Sequence, residues 1–99
     1  MTKTELILKI GQETYYLRKI FESCETIEQV KSANRLACFL VGDRWPWYES
    51  EFGLHTQISI HWTISDAAND LELFYRQAKD RVVNKEENKN SKIQTGYWD

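Results

Sequence analysis

The chain has 99 residues, of which 41% are hydrophobic and 28% are charged, and its formal net charge is −2. This length predicts one domain with a modest core, and the composition is typical of a folded chain. The small net charge argues against long-range attraction to nucleic acid or to an anionic membrane. No apolar run approaches the ~20 residues of a membrane span and no signal peptide is evident, so we expect a cytoplasmic protein with reduced thiols.

The first predicted element is a helix over residues 4–24. Apolar side chains recur along one face of this segment with the spacing of an α-helix. Gly11 interrupts the pattern at a cost of about 1 kcal/mol relative to alanine, and residues 5–10 alone would also suit a short strand. The apolar face comprises Leu6, Ile10, Leu17, Phe21 and Cys24.

A second helix is predicted over residues 26–41, where a start signal, an apolar stripe and a stop signal agree. Thr26 and Gln29 have the spacing of a capping box, and Gly42 stands where the end of a helix favours positive φ. Because very few residues separate the first two helices, we expect them to form an antiparallel αα-hairpin. The apolar stripe comprises Ile27, Val30, Ala33, Leu36, Ala37, Leu40 and Val41.

Residues 55–64 allow two interpretations. Their apolar residues alternate with polar ones, as in a strand, yet they also continue a helical face that runs on to Val82. We predict an all-α fold with three helices in a single domain of residues 1–86, the third helix starting at residue 55 or 66. The alternative is an α+β fold with a short strand over 57–64. The alternating apolar residues are Ile58, Ile60, Trp62 and Ile64.

Residues 87–99 are predicted to form a polar linker and then an aromatic C-terminal tail. From Asn84 the sequence is strongly polar and offers little to bury, which is typical of a fraying helix end. Tyr97 and Trp98 follow this polar stretch. Their rings could dock on the same domain, on a second copy of the chain or on another protein.

The sequence contains none of the motifs that mark phosphate binding, metal binding or hydrolysis. Its four glycines are far apart, and H-E-x-x-H, C-x-x-C and G-x-S-x-G are absent. The two cysteines and two histidines lack the paired spacing of a zinc site. Glu49 and Glu51 are expected to be solvated charges rather than an acid–base pair. We therefore predict no enzymatic activity, no cofactor and no metal.

Residues 42–53, GDRWPWYESEFG, are predicted to form an aromatic loop. So many rings in one loop are difficult to bury together, so we expect part of the loop to close the core and part to be presented. Tryptophan and tyrosine dominate binding hot spots, and we expect Trp47 and Tyr48 on the presented side. The predicted partner-binding residues are Arg44, Trp45, Trp47, Tyr48, Phe52, Tyr97 and Trp98.

Residues 23–34, SCETIEQVKSAN, resemble the helix-entry segments of small phage-encoded proteins of unknown role. The resemblance lies in the order of a cysteine, a threonine, a glutamate–glutamine pair and a later alanine. It implies a host-takeover or anti-defence protein, for example an anti-CRISPR-like inhibitor, that acts by binding and not by chemistry.

The leading functional hypothesis is a small intracellular, non-enzymatic protein that binds a protein partner stoichiometrically through the 45–52 segment and the tail. Such a protein could also form a homodimer. The alternative is an oligomer that sequesters small ligands or nucleotides, with bases on Trp45, Trp47 or Tyr48 and phosphate on Arg44. Nucleic acid is not expected as a partner, because acidic residues are interleaved with the basic ones along the helices; neither is a membrane.

Overall fold

The protein is all-α. A computed structural model describes residues 2–54 and 58–98, with side chains as far as Lys85. The elements are α1 (Lys3–Ser23), α2 (Ile27–Phe39), a π-helical turn (Leu40–Arg44), α3 (Trp45–Glu51) and α4 (Ile58–Trp98). Strands are absent from the described residues, which confirms the predicted all-α fold with three principal helices.

The start of α2 has the predicted capping box. The backbone N–H of Gln29 donates to Thr26 Oγ1 over 3.2 Å, and Gln29 Oε1 accepts from the backbone N–H of Thr26 over 3.3 Å. These reciprocal bonds satisfy donors that the start of a helix otherwise leaves unpaired. Only residues 24–26 separate α1 from α2. The predicted αα-hairpin follows, since Ile20 and Ala33 line the same groove between the two helices.

The core lies where α1, α2 and α4 pack together. α4 runs parallel to α1, because Arg18 contacts the ring of Phe74 and Arg81 reaches the backbone of Phe21. Most of the apolar side chains that the sequence indicates on α1 and α2 are buried, although Leu36 is exposed. At the start of α4 the buried face passes through Ile60, and Ile58 and Trp62 are exposed. The side chains with almost no exposed surface include Leu6, Ile10, Leu17, Phe21, Val30, Ile60 and Val82.

Three predicted features of the backbone are wrong. Gly42 does not end a helix: among the described residues only Gly53 has positive φ, at 66°, and helical backbone continues to Glu51. The alternative strand fails because residues 58–64 are helical and no neighbouring strand is described to pair with them. α4 also continues beyond residue 86 to Trp98, in a segment that contains no proline to interrupt the helix. The side chains of Tyr97 and Trp98, and His55, lie outside the described part.

The π-turn adds one residue between α2 and α3. Ala37 and Leu40 are buried three residues apart, but the next buried side chain, Trp45, comes five residues after Leu40. The backbone N–H of Trp45 donates to the carbonyl of Leu40, as a π-turn requires. In an uninterrupted α-helix, Arg44 would follow Leu40 on the buried face. The extra residue therefore moves Arg44 to the surface and Trp45 into the core.

Arg81 joins α4 to the end of α1. Its Nη2 donates to the carbonyl of Phe21 over 2.8 Å and to that of Cys24 over 3.0 Å. The last turn of α1 has no basic residue of its own. Arg81 thus supplies both donors and positive charge at a helix C-terminus, where both are favourable. Burial raises the pKa of the neighbouring Cys24 thiol, and the charge of Arg81 opposes that rise.

Replacing Arg81 with methionine is expected to lower the free energy of unfolding by about 1–2 kcal/mol, because the α1 carbonyls lose charged donors. The matched control is Arg76→Met, since Arg76 pairs with Glu72 on an exposed face of α4. Such pairs contribute only about 0.3–0.5 kcal/mol. Urea unfolding monitored by circular dichroism measures the free energy of unfolding of both variants. Equal losses would contradict the role given to Arg81.

Candidate functional site

The predicted aromatic loop is wrong, because residues 42–51 are helical. Pro46 lies in the first turn of α3, where a proline is tolerated since its missing N–H is not needed there. Pro46, which stands between Trp45 and Trp47, therefore marks a helix start here and not a turn. The aromatic side chains consequently project from a helix at fixed angles.

Trp45 is completely buried, with 0% of its surface exposed. The prediction that it contacts a partner is therefore wrong for this fold. Its Nε1 donates to Glu13 Oε2 over 3.3 Å, so the one polar group of the indole is satisfied. Trp45 instead closes the core at the end of the molecule where α3 lies.

Trp47, Tyr48 and Phe52 form a row of rings along α3. Trp47 is 51% exposed and meets Tyr48 edge to face, with ring centroids 5.1 Å apart. Tyr48 is half-buried and stacks on the exposed Phe52 at a centroid distance of 6.1 Å. The predicted presentation of Trp47 therefore agrees with its exposure, whereas Tyr48 links the surface to the core.

Phe39 and Arg44 extend this row across the π-turn. The guanidinium carbon of Arg44 lies 5.5 Å from the ring centroid of Phe39, a cation–π distance. Phe39 is 44% exposed. An open cleft of about 290 Å³ lies between Phe39, Asp43, Arg44 and Trp47. We call the whole set the aromatic surface: Phe39, Arg44, Trp47, Tyr48 and Phe52.

The carboxylate of Glu13 connects α1 to this surface. Glu13 Oε2 accepts from Trp45, and Glu13 Oε1 lies 3.1 Å from Lys9 Nζ. The hydrogen bond with Glu13 raises the pKa of Lys9. The ammonium group of Lys9 in turn lies 5.3 Å from the ring centroid of Tyr48. Glu13 thus connects a buried ring and a surface ring of α3 to α1.

Glu49 lies on the same inward face of α3 as Trp45 and ties this helix to α4. It is only 6% exposed, so the prediction of a solvated charge is wrong for Glu49, while Glu51 is exposed as predicted. Glu49 Oε2 lies 3.3 Å from His61 Nδ1. The pair joins the C-terminal half of α3 to the first turn of α4, and α3 is consequently held to both α1 and α4.

The sequence interpretation missed several exposed apolar side chains. Phe39 lies on the face of α2 opposite its buried stripe, and this position is readable from helical spacing alone. Trp62, 67% exposed, points away from the core of α4 for the same reason. Exposed apolar side chains also lie on α1 and α4, and within the described part of the chain none of them makes a ring–ring contact like those on α3. They are Leu8, Tyr15 and Tyr16 on α1, and Ile58, Trp62 and Leu73 on α4.

Other classes of site find no support within the described residues. No group of three or more histidine, cysteine or acidic side chains is placed there to hold a metal ion. No helix in that part is long and apolar enough to cross a membrane. Comparisons with protein-family models, curated proteins and solved structures give no match for this chain. The candidate site therefore rests on the geometry of the aromatic surface.

Trp45→Ala is expected to lower the free energy of unfolding by about 3–5 kcal/mol, because it leaves a cavity beside Glu13. Trp47→Ala removes the same side chain two residues away and is expected to cost less than about 1 kcal/mol, since much of that ring is already in water. Chemical unfolding of both variants measures the difference. Similar losses would contradict the division between a core tryptophan and a presented one.

Proposed function

We propose that the protein acts by binding a protein partner, non-covalently and stoichiometrically, through the aromatic surface. The observation that carries this proposal is the exposure of Phe39, Trp47 and Phe52 around one short helix. Clustered exposed rings of this kind are typical of protein–protein contact sites. Tryptophan and tyrosine also contribute a large share of the binding energy at such sites.

The rigidity of α3 supports the same proposal. Trp45 anchors this helix to α1 and Glu49 anchors it to α4. Trp47 is in contact with Tyr48, and Tyr48 is stacked on Phe52. Rings that are already ordered lose less conformational entropy when a partner covers them, and this lowers the cost of association.

The charges around the surface indicate what holds the partner. Arg44 and Lys9 are balanced by Asp43, Glu51 and the other acidic groups nearby in the sequence. Binding should therefore depend mainly on the burial of apolar area. The nucleotide hypothesis is correspondingly weaker, because Trp45 is not accessible for stacking.

The narrower expectations remain predictions. The inhibitor hypothesis rests on the resemblance of residues 23–34, and that segment forms the junction of α1 and α2, not the aromatic surface. A role for Tyr97 and Trp98, and a homodimer, are likewise still predictions.

Affinity capture from a nuclease-treated lysate of the source organism tests the proposal. The double variant Phe39→Ala, Trp47→Ala is expected to retain at least about tenfold less partner than the unaltered chain, since each hot-spot ring contributes roughly 2 kcal/mol. Tyr48 is left unchanged because it also packs on the core.

The control is the double variant Trp62→Ala, Leu73→Ala, which removes two equally exposed apolar side chains from α4. It should capture the same protein as the unaltered chain. Loss of the partner in this control, with full retention by the Phe39 and Trp47 variant, would move the binding site to α4 and refute the proposal.

A further inference from the structure

We infer that the partner presents a carboxylate next to a large apolar side chain, the carboxylate binding Arg44 and the apolar group entering the cleft between Phe39 and Trp47. This inference rests on the proposed function and specifies the chemistry of the partner. It rests on three observations: the contacts that Arg44 makes, the residues that line the cleft, and the charges of those residues.

Arg44 differs from the other four arginines of the chain. Two of those pair with a glutamate of their own helix, one donates to a serine hydroxyl, and one donates to two backbone carbonyls. Arg44 donates no hydrogen bond to any residue that the structure describes, and its recorded contact is with the face of Phe39. The four engaged residues are Arg18, Arg76, Arg35 and Arg81.

The contact with Phe39 prepares Arg44 for a carboxylate. A cation–π contact does not use the guanidinium N–H groups as hydrogen-bond donors to an oxygen, so these groups stay available to an acceptor. Two parallel N–H groups match the two oxygens of a carboxylate, so the resulting pair is bidentate. Because the ring already restricts the side chain, less rotamer entropy is lost when the pair forms.

The cleft beside Arg44 fits an apolar side chain. Phe39 and Trp47 form two of its walls, and its volume is about 290 Å³. This volume lies at the lower end of the range for small-molecule pockets. A single inserted side chain suits that space better than a nucleotide, and it would cover the exposed parts of both rings.

The local charges favour a carboxylate over a phosphate. Among the residues that the structure describes, Arg44 is the one cation that lines the cleft, and Asp43 lines the same cleft with a negative charge. A phosphate carries up to two negative charges and would meet the repulsion of Asp43 with a single cation to offset it. A carboxylate brings only one negative charge and therefore meets less repulsion from Asp43 than a doubly charged phosphate does.

Selection from a displayed library of random peptides, against the full chain, tests the inference. The unaltered chain and the control Arg76→Gln are expected to enrich peptides with Asp or Glu within four residues of a large apolar residue. Peptides selected for binding to the Arg44→Gln variant should keep the large apolar residue and lose the preference for an acidic residue. A peptide from the first selection should lose about tenfold in affinity for the unaltered chain when its acidic residue is replaced by the amide. The same replacement in the peptide should not change its affinity for the Arg44→Gln variant.

The outcomes separate this inference from the proposed function. Enriched peptides that need Phe39 and Trp47 but show no acidic preference would overturn the inference and leave the proposed surface in place. Enrichment of basic peptides would overturn it in the same way. Peptides that bind the Phe39→Ala, Trp47→Ala variant as tightly as the unaltered chain, or a selection with no enrichment, would overturn both.

Discussion

The burial of Trp45 is the interaction on which the rest of this site depends. Its indole is fully enclosed, and its N–H is satisfied by Glu13, a residue 32 positions earlier in the chain. Burial of an aromatic side chain of this size stabilises a small domain substantially. It also fixes the rotation of α3 about its own axis, because one face of this helix must point towards α1.

That rotation explains why the neighbouring residues are exposed. With Trp45 and Glu49 turned inward, four residues apart, Arg44 and Trp47 are directed outward. The π-turn makes this possible, since it supplies the additional residue between Leu40 and Trp45. The two tryptophans on either side of Pro46 thus have different environments, since Trp45 is buried in the core and Trp47 is exposed, and the exposure of the second depends on the burial of the first.

Much of the scaffold and most residues of the aromatic surface could be predicted from local pattern, but the helical backbone that carries this surface could not. The capping box at Thr26 and the apolar stripes of α1 and α2 are local signals, and the structure confirms the capping box and most of the two stripes. Gly42 and Pro46 are each compatible with a turn and with a helix. Only the packing of Trp45 against α1 decides between these two structures. The five-residue step from Leu40 to Trp45 is visible in the sequence. It becomes informative only when the buried residues on both sides are known.

The most direct test of this account is fluorine NMR of the chain labelled with 5-fluorotryptophan, with the four signals assigned by single Trp→Phe variants. Exchange of water for deuterium oxide shifts the signal of a solvent-exposed fluorine. The account predicts no solvent shift for Trp45 and a clear shift for Trp47, with that of Trp62 as an exposed reference. Equal shifts for Trp45 and Trp47, whether both large or both absent, would contradict it.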